Sequence, residues 1–170
     1  MNQLIIKELQ LGDEVAFLAM TQASKTYHHP WVKAPITQDE FIDYFNRSQK
    51  ENQKSYLLFL ENEIVGVFNI SEIVKGNFHS AFLGFYGAQK YARKGFMSQG
   101  LKLVLHKVFH ELALHRLEAN IQPGNSASIL LVQHNGFRKE GYSPRYLKIN
   151  EKWCDHERWA LTIEDWRQHD

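Results

Sequence analysis

The 170-residue chain has a single cysteine, Cys154, so no internal disulfide can form, and a lone thiol fits a reducing compartment. It has almost no excess of charge: 20 Lys and Arg stand against 19 Asp and Glu, for a formal net charge of +1. Broad nucleic-acid binding wants a strongly basic domain, and this balance gives no case for it, so no direct nucleic-acid specificity is expected. No apolar run approaches the length of a membrane span. The opening MNQLIIKELQLGDE carries acids early and has no apolar core of signal-peptide length, so a cytoplasmic protein without membrane contact is expected. No proline-rich or Gly/Ser-rich linker, internal repeat or low-complexity tract divides the sequence. One domain, residues 1–170, is the expectation, and it is long enough to bury a real core. Oligomeric state, monomer or homodimer, is not legible.

Two phosphate-binding signatures are missing as well. A kinase-type P-loop places glycine before its lysine and Ser/Thr after it, whereas here the order is Lys94-Gly95. A dinucleotide fingerprint needs G-x-G-x-x-G near the first strand of a βαβ unit, and Gly84, Gly87 and Gly95 do not make that spacing. The nine histidines form no metal motif: His106 and His110 stand at i, i+4, but HKVFH lacks the glutamate of a metalloprotease. That pair reads as a solvated helix face, and no metal is expected.

What is present is a stretch from Phe78 to Leu112 that runs from an aromatic strand (Phe78 to Tyr86), through a basic glycine turn, into a helix (Ser98 to Leu112). Leu101, Val104, Leu105, Val108 and Leu112 make the helix's apolar stripe. The first N–H groups of a helix lack internal partners and the dipole adds to their pull, so Tyr91 to Ser98, YARKGFMS, is a natural anion site. Around it the pattern predicts a strand at Gln3 to Leu9, a helix at Asp13 to Thr26 and an aromatic loop at Tyr27 to Pro35. A helix opened by the Thr37/Glu40 capping box follows, then strands at Ser55 to Leu60 and Ile64 to Ile70. A strand at His115 to Gln122, a helix from Asn125 to Gln133 stopped by Asn135-Gly136, and a hairpin of Gly141 to Ile149 with Trp153 to Ile163 complete the chain. The order β-αα-βββ-α-β-α-ββ implies an α/β (α+β) fold with a mixed, mostly antiparallel sheet.

The strand–loop–helix, together with HRLEANIQPGNSASILLVQHNGFRKEGY, resembles the GCN5-related N-acetyltransferase (GNAT) superfamily. YARKGFMS is similar to that family's acetyl-CoA pyrophosphate motif, with Ala92 where Gln or Arg is usual and Arg93 where many members have glycine. Asn125-Ser126-Ala127-Ser128 followed by Gly136-Phe137 resembles the N-x-x-S…GF block of the RimJ/RimL subfamily. IVKGNFHSAFLGF, YHHPW and INEKWCDHERWAL extend the likeness over most of the chain from Tyr27 onward. The strongest likeness is to members that acetylate the N-terminal alanine of a small-subunit ribosomal protein.

The resemblance implies direct transfer from acetyl-CoA to an amine with no acyl-enzyme, leaving Cys154 incidental. It assigns the pantetheine arm to backbone groups of Phe85, Tyr86 and Gly87, and the pyrophosphate to the N–H groups of Arg93, Lys94, Gly95, Phe96, Met97 and Ser98, with the Arg93 and Lys94 side chains adding charge. Asn125 matches the asparagine that contacts the pantetheine arm, although it also reads as the N-cap of its helix. Ser128 matches the serine beside the cofactor sulfur. The tyrosine that many relatives place further along this helix is Val132 here. For the base, alignment from the strand start gives Glu118, and counting back from Asn125 gives Asn120. Other relatives use a glutamate where Leu147 stands, and a water chain is a further route. His28, His29 and Trp31, with Tyr142, Arg145 and Tyr146, are candidates for a peptide-entry groove. Acetyl transfer to a small amine such as a polyamine, or a non-catalytic acetyl-CoA-binding or ribosome-assembly module, stay open beside N-terminal acetylation.

Overall fold

In a computed structural model that describes residues 3–168, seven strands form one sheet in the order β1-β2-β3-β4-β5-β7-β6. The elements are β1 (Leu4–Glu8), α1 (Glu14–Ala23), α2 (Lys25–His28), α3 (Gln38–Ser48), β2 (Lys54–Leu60), β3 (Glu63–Val74), β4 (Ser80–Gly87), α4 (Phe96–His106), β5 (Arg116–Ile121), α5 (Ser126–His134), β6 (Arg138–Ile149), β7 (Lys152–Thr162) and α6 (Ile163–Arg167). Every pairing is antiparallel except β4 with β5. The expected order is found, with α2 and α6 added.

Burial explains the layering. In β2 every residue from Ser55 to Phe59 is buried, because both faces of this strand are covered. Tyr56 and Leu58 meet α4, whose Leu101, Val104, Leu105 and Val108 fill the larger core. Leu57 and Phe59 face α1 and α3, where Phe17 packs on Phe41 and Tyr44 at 5.3 and 5.4 Å between ring centroids. Gly100 lets α4 sit close to the sheet: a Cβ there would lie 2.6 Å from Leu58 Cδ2. The Thr37 capping box forms as expected, with Thr37 Oγ1 accepting the Glu40 N–H at 3.3 Å. The Glu40 carboxylate takes the N–H groups of Ile36 and Thr37, which hold its pKa below the usual carboxylate value.

Several boundaries differ from the sequence pattern. Tyr27 and His28 are not loop but the end of α2. β3 continues to Val74 through a register shift after Ser71, and β4 begins at Ser80, leaving Phe78 71% exposed outside the sheet. α4 starts at Phe96, not Ser98, and finishes in a π turn over Lys107–Glu111, where the Leu112 N–H donates to the Lys107 carbonyl at 2.9 Å. β6 begins at Arg138. Sequence reasoning missed α6, which Thr162 caps by accepting the Asp165 N–H. Its Trp166 packs edge-on against both His106 and His110, so that pair is exposed but roofed by an aromatic ring, not wholly solvated. No group of three or more His, Cys, Asp or Glu suited to a metal ion occurs among the described residues.

Candidate active site

The site follows from one interruption in the sheet. β4 and β5 share only three registered pairs, from Ser80–Arg116 to Phe82–Glu118. Beyond them β4 stays paired with β3 as far as Gly87, and β5 stays paired with β7 as far as Ile121. The carboxyl ends of β4 and β5 therefore face one another without a ladder between them. A cleft of about 590 Å³ opens there, walled by Leu83–Ala88 on one side and Asn120–Gln122 on the other. Such a gap leaves strand-edge groups able to pair with an extended ligand arm.

At one end of the cleft stands the YARKGFMS turn. Arg93 and Gly95 both have left-handed backbone, at φ 61° and 77°. Those two reversals turn successive N–H groups toward one side before α4 begins. The first bond of the helix joins the Gln99 N–H to the Gly95 carbonyl at 3.2 Å. Among the described residues no acceptor takes the N–H groups of Arg93 through Ser98. They are the orphan donors of a helix N-terminus, with the dipole behind them. Met97 turns the other way: its thioether fills the space over the paired glycines Gly66 and Gly87, where a Cβ at Gly66 would collide with its sulfur. Ser98 Oγ accepts from Asn135 Nδ2 at 3.0 Å, which ties the start of α4 to the end of α5.

The floor is the first turn of α5. Asn125 Oδ1 accepts the Ser128 N–H at 3.3 Å, so Asn125 is the N-cap, and both residues line the cleft. Ser128 Oγ has no partner among the described residues. At the opposite end the chain between α2 and α3 is docked in place: Asn150 Nδ2 donates to the Pro30 carbonyl at 3.2 Å, and Trp31 sits over Gly124.

A split strand, a helix N-terminus at its mouth and an Asn-capped helix below it form one constellation. The sequence profile of the acetyltransferase (GNAT) domain matches residues 3–138. The chain belongs to the GNAT acetyltransferase family. It is 42% identical over 106 residues to the [ribosomal protein uS5]-alanine N-acetyltransferase of Escherichia coli, a match covering 62% of this chain and 55% of that relative's length. It is 32% identical over 125 residues to the probable N-acetyltransferase YjcK of Bacillus subtilis, covering 72% of this chain and 69% of the relative. Among solved structures, Mycobacterium smegmatis RimJ in complex with CoA-disulfide superposes with a TM-score of 0.87 at 25% identity, covering 95% of this chain and 82% of that one.

Within this GNAT fold the residues singled out from the sequence fall into two groups. Phe85, Tyr86, Gly87, Arg93, Gly95, Phe96, Met97, Ser98, Asn120, Asn125 and Ser128 all line the cleft. The Lys94 side chain does not: its Nζ lies 5.3 Å from the centroid of the Tyr91 ring, leaving Arg93 as the cation on the cleft wall. Glu118 is a second departure. Its carboxylate accepts from Arg116 Nε at 2.8 Å, Arg116 also holds Glu140, and none of the three lines the cleft. Asn120, two residues further along the same face of β5, does reach the cleft, and its Oδ1 is buried without a partner. Val132 is fully buried in the core, so its position offers nothing to the cleft. Leu147 lies on the outer strand β6, away from it.

Of the six acceptor-side candidates, His28 and Trp31 line the cleft. His28 Nε2 is 2.8 Å from the Gly87 carbonyl, so that nitrogen carries the hydrogen and donates, and Nδ1 is left bare and buried. Burial pushes the imidazole's pKa down, against a smaller upward pull from the Gly87 bond. His29, Tyr142 and Arg145 stay outside the lining; Asp155 accepts from the Tyr142 hydroxyl at 2.6 Å and from the backbone N–H of Arg145 at 2.7 Å. The Tyr146 ring reaches the cleft only through His156, 6.3 Å away. Sequence reasoning missed His156 and His134, both of which line the cleft. His156 lies beyond the stretch matched by the family profile, and no spacing rule marks it.

Proposed function

We propose that this chain, as a single GNAT domain over residues 1–170, transfers the acetyl group of acetyl-CoA to the N-terminal α-amine, that of alanine, of a ribosomal protein. The observation that carries the acetyl-CoA part is the row of N–H groups from Arg93 to Ser98 with no acceptor, standing at the mouth of the gap between β4 and β5. Those donors fit a pyrophosphate, with Arg93 contributing charge, and the unladdered edge of Phe85 to Gly87 fits the amide groups of a pantetheine arm. Asn125 would contact that arm through its amide while capping α5 with its carbonyl oxygen. Ser128 Oγ would donate to the sulfur as it leaves, stabilising negative charge that exists only as the bond breaks.

Two observations support an N-terminal amine as acceptor. The E. coli relative is named for alanine acetylation of ribosomal protein uS5. In addition, no Asp or Glu occurs among the residues lining the cleft, so nothing there would pair with the several positive charges of a polyamine. An α-amine has a pKa of about 8 against about 10.4 for lysine, so far more of it is neutral and nucleophilic near pH 7. A protein with this activity would work in the cytoplasm, and among the described residues no helix is long and apolar enough to cross a membrane. Calorimetric titration with acetyl-CoA, followed by CoA release with Ala-, Ser- and Met-initiated peptides, an internal-lysine peptide and spermidine, tests the proposal. Saturable binding and fastest turnover of the Ala peptide are expected. No binding at micromolar acetyl-CoA refutes the first part, and faster turnover of spermidine refutes the second.

A further inference from the structure

The proton of the acceptor amine needs a destination, and the cleft limits the choice. It offers no carboxylate, and Glu118 is tied to Arg116 elsewhere. Three histidines line it: His28, His134 and His156. His134 is exposed in the last turn of α5, with no partner among the described residues fixing its ring. His28 spends Nε2 on the Gly87 carbonyl, and its Nδ1 is sealed from solvent, so a proton taken there has no exit.

His156 is arranged differently. The side chain is only 3% exposed, and its Nδ1 lies 2.9 Å from the Cys154 carbonyl oxygen. A carbonyl can only accept, so Nδ1 carries the hydrogen and Nε2 keeps its lone pair. Nε2 has no partner among the described residues and, unlike His28 Nδ1, is not among the polar atoms cut off from solvent. The β5–β7 register sets Asn120 opposite Arg158, so His156, two residues away, is the diagonal neighbour of Asn120 on the same face. Such neighbours have side-chain origins roughly 7–8 Å apart, room for one small group between them. The charged and titratable groups nearby come from several elements. They are Asp155 and Arg158 on β7, Tyr146 and Arg145 on β6, and His28 across the cleft. Asp155 is already engaged by Tyr142 and the Arg145 N–H; of β5, Asn120 and Ile121 line the cleft, while Arg116 and Glu118 pair with each other outside it.

Building on the acetyl-transfer reading, we propose that His156 Nε2 is the base that takes the proton of the acceptor amine, while Asn120 Oδ1 accepts a second N–H and orients that amine. As the nitrogen lone pair forms the C–N bond, one N–H proton passes to Nε2. The C–S bond breaks with its electron pair leaving on sulfur, which takes one proton from solvent. His156 then returns one proton to solvent, so the products are the acetylated amine and free CoA thiol.

His156→Asn is the discriminating variant, because its amide nitrogen replaces Nδ1 and keeps the Cys154 contact while removing the Nε2 lone pair. Turnover of the Ala peptide should fall by about 10² or more, with acetyl-CoA affinity retained. In the wild type, an acceptor whose nitrogen is unprotonated throughout should still show an acid limb, because protonating the base removes the lone pair that takes the proton. Loss of that limb in His156→Asn supports the assignment, and its absence in the wild type refutes it whether or not the variant folds. Nitrogen-15 NMR of the protein without ligand should show His156 as the Nδ1–H tautomer; the Nε2–H tautomer would overturn the proposal without any assay. If His156→Asn turns over within about threefold of wild type with the same pH profile, the base assignment fails alone. A wild type that binds acetyl-CoA yet acetylates none of the amines ends the transfer reading and takes the base with it.

Discussion

Gly95→Ala isolates the proposed phosphate cradle from everything else in the molecule. Gly95 has φ +77°, and a Cβ built there meets no atom within 4 Å, so the substitution introduces strain without a clash. An L-residue in the left-handed region carries about 1–2 kcal/mol. If the free protein relaxes by swinging the turn to negative φ, the N–H groups of Phe96 to Ser98 no longer share a direction, and a ligand phosphate must restore it. The whole strain then appears in binding, and acetyl-CoA affinity should weaken roughly 5- to 30-fold at about 1.4 kcal/mol per factor of ten. If the turn does not relax, the same energy appears as lowered folding stability instead. Calorimetric titration and a thermal melt of one preparation distinguish the two, and their sum should fall within the strain range. Gly12→Ala, at a glycine with equally open surroundings but no positive φ, is the control. A Gly95→Ala protein that melts and binds acetyl-CoA like wild type would refute the reasoning about this turn.

Three further outcomes are expected. Ser128→Ala should lower turnover roughly 10- to 100-fold, the worth of one hydrogen bond to a charged group, with acetyl-CoA affinity unchanged by titration. Asn125→Ala should lower stability by about 1 kcal/mol through loss of the cap, whereas Asn125→Asp keeps the cap and should weaken only CoA binding, as read by parallel melts and titrations. His28 has a folded-state pKa below its unfolded value of about 6.5, so its contribution is full above that pH and is lost as pH falls toward the folded pKa. The melting temperature should therefore drop below about pH 6.5, and His28→Gln, which retains a donor for the Gly87 carbonyl, should flatten that part of the profile.

What the sequence made legible were features governed by neighbours along the chain. The Thr37/Glu40 capping box, the glycine turn ahead of α4 and the Asn125 cap each obey a rule spanning three or four residues. Each appears where expected. Glu118 and Asn120 could not be separated, because that choice depends on which residues β5 meets across the sheet: Arg116 reaching Glu140 on β6 draws Glu118 away from the cleft. His156 was illegible for a related reason, since its tautomer is set by a backbone carbonyl and its usefulness by the end of a strand far earlier in the chain. Lys94 departed because an adjacent aromatic ring, Tyr91, competes for it. α6 escaped because the apolar run of β7 continues into it, masking a cap at Thr162 that the same local rules would have found.

The thioether of Met97, seated over Gly66 and Gly87, has a thermodynamic consequence for ligand capture. The first turn of α4 is fastened to the sheet by Met97, to α5 by the Ser98–Asn135 bond, and to β2 by the close approach at Gly100. The donors proposed to meet a phosphate are therefore in place before it arrives, and little conformational entropy is left to lose on association. Shortening Met97 would leave its phosphate-facing N–H in the chain, yet it would loosen that arrangement. The resulting loss of affinity would be entropic in origin and would show as a slower arrival at the bound geometry, not as a missing contact.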